Sequence, residues 1–250
     1  MPRTIRVLFL ATVLPVAIVS LSVAQAGASV RASSSKGGTP SAKTLIANAK
    51  RAILAQNSVH FVITVNDETT KQTESVVGDV GKKTGTESFS AGKDTASLRV
   101  NSVGAYIEGN SAGLEEFFGM PKADAGKVGS KWITVKAGSS QYSSLQSSVA
   151  LSTLSTSLFP ATKSVKVIKA KQSGVEIYEL EWTVKASGTT TDRLLEIASS
   201  GAPLPISAVG TSLATSGGVL QTISLGKWNE SLNIPSPSAS DTIAFSSLTS

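Results

Sequence analysis

Apolar residues alternate with polar ones through most of this 250-residue chain, and the longest departure from that two-residue period lies between Ala105 and Pro160. Within it, Leu114, Phe117 and Phe118 recur at helical spacing until Gly119-Met120-Pro121, and Lys122 to Val128 forms a second short helical run. Trp132, Ile133 and Val135 return to strand. Tyr142, Leu145, Val149, Leu151, Leu154 and Leu158 then mark a longer helix that Phe159-Pro160 ends, because proline lacks the N–H and clashes with the preceding turn.

On both sides of this centre the period is that of half-buried strands. Val59, Phe61, Ile63 and Val65 alternate with His60, Val62 and Thr64, and strand-like runs follow at 72–80, 84–90, 95–100 and 103–107. After the centre come 164–170, 174–185, 193–197, 205–212 and 218–228, with Tyr178, Leu180, Trp182 and Val184 on one face. Ahead of the first strand, Leu45, Ala49 and Ile53 recur every four residues, an amphipathic helix ending near Gln56-Asn57. About ten strands in sequence order form a meander, and an antiparallel sheet of that size curls. The expected fold is α+β: a curved antiparallel half-barrel of about ten strands with helices packed on the concave face. An immunoglobulin-like sandwich is the competing architecture, weakened by the helical centre and the first helix.

The N-terminus reads as an export signal over residues 1–26. Arg3 and Arg6 precede an apolar run from Val7 to Val23, and Ala24-Gln25-Ala26 is a small-x-small cleavage site, with Ala26-Gly27-Ala28 as a second. An uncleaved anchor is the alternative, which Pro15 and the small residues after it disfavour. Residues 27–40, rich in Ser, Gly and Lys, form a flexible linker; one domain follows at 41–235. Pro235-Ser236-Pro237-Ser238 opens a mobile tail, 236–250, in which Ile243 and Phe245 could dock. The expected location is therefore outside the cytoplasm, secreted or in the cell envelope.

Composition narrows the function. There is no cysteine, which removes disulfides, thiolate chemistry, Cys-based metal sites and lipid attachment through an N-terminal Cys. Aromatic residues are only 5%, so the core is built from smaller side chains. The formal charge of +6 is spread out, with clusters at Lys82-Lys83 and at Lys163, Lys166, Lys169 and Lys171. It serves solubility, or loose attraction to anionic headgroups or cell-wall polymers at a membrane surface. Export argues against nucleic acid, no cofactor is called for, and a monomer is expected.

Catalytic constellations are weak. His60 is the sole histidine, and no serine lies in a Gly-x-Ser-x-Gly elbow. Asp67-Glu68 and Glu115-Glu116 are adjacent acids whose side chains point apart. Gly78, Gly81 and Gly85 with Lys82-Lys83 lack the spacing of a phosphate loop and read as turn glycines. Asn229-Glu230-Ser231 is a formal glycosylation sequon.

The run Ala105-Tyr106-Ile107-Glu108-Gly109-Asn110, the Phe-Phe-Gly helix end, Gly129-Ser130-Lys131-Trp132-Ile133 and Gly226-Lys227-Trp228-Asn229 before a Pro-rich end carry a resemblance. Together with the order of elements, they resemble actinobacterial envelope proteins of the LppX/LprG lipoprotein family, related in fold to LolA/LolB-like lipoprotein carriers. The match spans about Ser41 to Pro235. The resemblance implies a half-barrel with an apolar cavity between sheet and helices that accepts acyl chains. Its members are anchored through a Cys after the signal, which this chain lacks, so a released carrier or one held by an uncleaved signal is implied instead. The expected lipid-binding slot is lined by Leu114, Phe117, Phe118, Met120, Leu145, Val149, Leu154 and Leu158. Each buried CH2 would contribute about 0.8 kcal/mol. The same residues could instead pack solidly against the sheet, which would make the chain a structural or interaction module of the envelope.

Overall fold

The computed structural model describes residues 39–161, 164–186, 189–214 and 217–248. The signal and most of the linker, and Lys163 of the basic cluster, lie outside the described residues. Helix α1 (Ala42–Ala55) starts where Ser41 accepts the Thr44 amide at 3.2 Å, a side-chain N-cap, and buries Leu45, Ala49 and Ile53. Five antiparallel strands follow: β1 (Ser58–Asp67), β2 (Gln72–Gly81), β3 (Gly85–Ala91), β4 (Asp94–Val100) and β5 (Gly104–Gly109). The centre supplies α2 (Ser111–Phe118), α3 (Lys122–Val128), β6 (Trp132–Lys136), α4 (Ser140–Ser148) and α5 (Leu151–Leu158). The second half is β7 (Lys166–Gln172), β8 (Val175–Ala186), β9 (Thr189–Ala198), β10 (Pro205–Ala214) and β11 (Gly217–Gly226), then a short β12 (Thr242–Ala244).

All twelve strands belong to one open, curved sheet in the order β12-β6-β5-β4-β3-β2-β1-β11-β10-β9-β8-β7, against about ten expected. The first strand sits near the middle, with Phe61 opposite Gly78 on one side and Leu225 on the other. Helices α2 and α4 pack on β3 to β6, α5 packs on α1 and borders β8 to β11, and the core continues through Leu180, Leu195, Ile197 and Ile223 of the second half. Phe61 of β1, Leu98 of β4, Ile107 of β5 and Ile133 of β6 form one core with Leu114, Phe118 and Leu145 from the helices.

Two expectations change. The longer helix expected to run up to Leu158 is two helices. Val149 leaves the helical path and Ala150 is extended, forming a bridge to Gly81. The side chain of Val149 stands where a Cβ on Gly85 would lie, 2.6 Å from its own Cβ. Hydroxyls of Ser143, Ser144 and Ser147 bond to carbonyls one turn back, which weakens α4 as a regular helix. The apolar period runs on across Val149, but a tertiary contact interrupts the backbone.

The C-terminal stretch expected to be mobile is docked. Ser236 Oγ receives bonds from Tyr106 Oη at 2.8 Å and Asn101 Nδ2 at 3.1 Å, and β12 pairs in parallel with β6. Leu248 is buried, and Ile243 and Phe245 pack against the core. This segment covers what would otherwise be a free sheet edge. The opposite edge, β7, is open and carries Lys166 and Lys169, paired to Glu181 at 3.1 Å and Glu176 at 3.0 Å.

Candidate functional site

The eight residues expected to line a slot are brought together, but as packed core. On α2, Phe117 stacks on Phe89 with ring centroids 5.4 Å apart, and Phe118 meets the same ring edge-on at 5.6 Å. Leu114, Leu145, Val149, Leu154 and Leu158 are all buried in the same cluster, and Met120 is half-buried against it. Asn110 fixes the start of α2 by accepting the Gly113 amide at 2.7 Å and donating to Lys93 O at 2.8 Å. Gly119, in the left-handed region, ends the helix, and its N–H is satisfied by Glu115 O at 3.0 Å.

Open space lies beside β8, β9 and β10. A recess of about 790 Å3 is lined by Ser164 and Val165 ahead of β7, Lys166, Glu181, Trp182 and Thr183, Asp192, Arg193 and Leu194, and Val209 and Thr211. A second, of about 20 Å3, lies between Ser157 and Leu158 of α5 and Trp182, Arg193, Gly210, Gln221 and Ile223 of the sheet. Leu158 is the one expected site residue that borders either recess. By strand alternation the linings draw on both faces: Trp182, Arg193, Gly210 and Gln221 on the core side, Glu181, Thr183, Asp192 and Leu194 on the other. Trp182 and Val165 are the apolar residues on the core side, and Leu194 and Val209 those on the other.

Arg193 lines both recesses. Pairing sets it between Trp182 on β8 and Gly210 on β10. Its guanidinium is half-buried, and Nε is fully covered without a hydrogen-bond partner. Burial alone pushes its pKa down from the usual arginine value, with no carboxylate acting against that shift. Neighbouring acids are engaged elsewhere. Glu181 pairs with Lys166, Asp192 accepts Thr183 Oγ1 at 2.8 Å, and Glu196 accepts Gln172 Nε2 at 2.9 Å and also the Ser207 hydroxyl. Opposite Arg193, a Cβ on Gly210 would meet only Gln221 Oε1 at 3.8 Å and Thr191 Cγ2 at 4.0 Å, so the missing side chain leaves a cradle.

The remaining sequence features find local roles. His60 Nδ1 lies 2.9 Å from Asp79 Oδ1 across β1 and β2, but no hydrogen bond from a serine completes a triad among the described residues. Asp67 accepts the amides of Thr69 at 2.8 Å and Thr70 at 3.3 Å, a turn whose N–H groups hold its carboxyl below the usual range. Asn229 of the sequon accepts the Asn57 amide at 2.7 Å and donates Nδ2 to Gln56. Gly78 and Gly85 are sites of close backbone approach rather than a phosphate loop. Among the described residues no group of three or more His, Cys, Asp or Glu could hold a metal ion, and no helix is long and apolar enough to cross a membrane.

The architecture defines a class: among the described residues, one open curved sheet with five helices packed on it. No family model matches the chain, and no curated protein matches it. Among solved structures it is similar to LprF from Mycobacterium bovis, with 17% identity over 81% of this chain and 100% of that one at a TM-score of 0.48. It is also similar to a DUF1329 family protein from Desulfovibrio piger, with 8% identity over 77% of this chain and 94% of that one at a TM-score of 0.31.

Proposed function

We propose that this chain is a non-catalytic, extracytoplasmic binding protein for acyl-chain lipids or lipidated molecules, and that its binding site is the recess at β8 to β10. The observation that carries this reading is the recess of about 790 Å3, in which Trp182 and Val165 stand on the core side of the sheet beside Arg193. The resemblance to the LppX/LprG family supports the ligand class, and the export signal read at residues 1–26 supports the location. On this reading Leu114, Phe117, Phe118 and Leu154 are core, and only Leu158 borders the site, at its smaller recess.

The first test is native mass spectrometry of the full chain purified from its own envelope, followed by solvent extraction and lipid identification. A stoichiometric lipid is the expected result. The paired variant is Gly210→Leu, which puts a side chain into the smaller recess opposite Arg193, where nothing stands closer than 3.8 Å to a Cβ. It should lose at least about tenfold in lipid uptake while keeping its thermal midpoint within a few degrees.

A second reading, a structural or interaction module, is favoured by one observation: the expected slot between α2, α4, α5 and the sheet is filled by its own side chains. A protein that stays free of lipid after incubation with envelope lipids would select that reading.

A further inference from the structure

We infer that Arg193 is an anion anchor and that the ligand of this recess is an anionic amphiphile, its carboxylate or phosphate held by the guanidinium and its chain by the wall around Trp182. The inference rests on the acyl-chain reading above and specifies the headgroup. Arg193 lines both recesses, and its covered Nε has no partner in the protein. A half-buried guanidinium without a carboxylate is an unfavourable arrangement that a protein ordinarily resolves with an internal acid. Here the acids nearest along the strands, Glu181, Asp192 and Glu196, lie on the opposite face of the sheet and are bonded to Lys166, Thr183 and Gln172 respectively.

Geometry adds room for the missing partner. Gly210 faces Arg193 across the β9–β10 pair and leaves space where any other residue would place a side chain. Trp182 faces it across the β8–β9 pair and is buried at 8% exposure, so an apolar surface begins directly beside the charge. A planar guanidinium takes a carboxylate or phosphate through two parallel hydrogen bonds, and the low-dielectric surroundings strengthen them. A neutral lipid would leave this charge unmatched.

The experiment compares oleate with methyl oleate at pH 8 on the full chain by titration calorimetry, with inorganic phosphate as the free-anion arm. The two lipids share a chain and differ in charge. Oleate should bind roughly ten- to hundredfold more tightly than methyl oleate, and phosphate alone should bind far more weakly than oleate. Arg193→Met should abolish the preference for oleate over methyl oleate, whereas Arg193→Lys should retain part of it. Equal binding of the two lipids by the unaltered protein would overturn the anion anchor and leave the acyl-chain reading standing. Phosphate binding as tight as oleate would overturn it in favour of a small-anion site. Binding of neither lipid would remove both readings. The wild-type comparison decides the matter even if a variant fails to fold.

Discussion

Replacing Glu87 with leucine raises the thermal midpoint at pH 8, and the gain shrinks as the pH falls toward 5. Glu87 stands on β3 between Gly78 and Leu98, on the face that carries Phe61, and is only 3% exposed. A Cβ on Gly78 would lie 3.0 Å from the Phe61 ring and 3.1 Å from Glu87 Cγ, so the glycine makes room for both. Its Oε2 has no hydrogen-bond partner, and burial pushes its pKa from 4.5 to about 8.

The folded-state pKa lies above the unfolded one, so between pH 4.5 and about 8 the folded protein keeps a proton that the unfolded chain releases. Stability falls through that window at about 1.4 kcal/mol per pH unit and levels off above the folded pKa, a loss of several kcal/mol in all. Leucine removes the titration and fills the site with apolar volume. Denaturant melts of both proteins from pH 5 to pH 9 check this. Parallel curves across the window would show that the carboxylate is compensated in the folded protein.

The second large effect is the opposite in sign. Gly113→Ala should destabilise the protein by about 3 kcal/mol, because a Cβ there would lie 2.2 Å from Thr95 O, 2.6 Å from Thr95 C and 2.8 Å from Thr95 N. These are backbone atoms of β4, which cannot swing aside as a flexible side chain would. The first turn of α2 must lift, loosening the Asn110 bonds to Gly113 N and Lys93 O and withdrawing Phe117 and Phe118 from Phe89. Gly126→Ala in α3 is the control: no atom lies within 4 Å of its Cβ, and helix propensity predicts a gain of about 0.5–1 kcal/mol. Urea unfolding of the two variants measures both. Equal stabilities would mean that α2 is not clamped to β4 through Gly113.

Much of the sheet was legible because each strand carries its own signal. Val59, Phe61 and Ile63, and again Leu180 and Trp182, are buried at every second position as the alternation requires. β12 was not legible: Thr242, Ile243 and Ala244 are too few to show a period, and their pairing partner β6 is far away in sequence. The break at Val149-Ala150 was hidden for the reason given above, a contact with Gly81 that leaves the apolar spacing intact.

The site was the least legible part. A helical stripe such as Leu114, Phe117 and Phe118 looks the same whether it lines a cavity or packs against a ring like Phe89. In the run Thr191-Asp192-Arg193 the adjacent charges suggest a solvated pair, and only the pairing with Trp182 and Gly210 shows that Arg193 stands apart from Asp192. For Glu87 a signal did exist. It is two residues from Phe89 on one strand, so both side chains take the same face.

The pairing of β1 with β11 bears on how the molecule assembles. Each run of hairpins, β1 to β5 and β7 to β11, joins neighbours in sequence and can form quickly. The seam where Phe61 meets Leu225 joins them only after nearly the whole chain is present, and it closes the longest loop in the sheet. Until then the strand holding Val59, Phe61 and Ile63 has one unsatisfied edge, the kind of surface that recruits strands from other chains. Pulse-labelled hydrogen exchange should therefore show the amides along this seam protected last, after the hairpins on either side. An early-protected seam would mean that the two halves condense together.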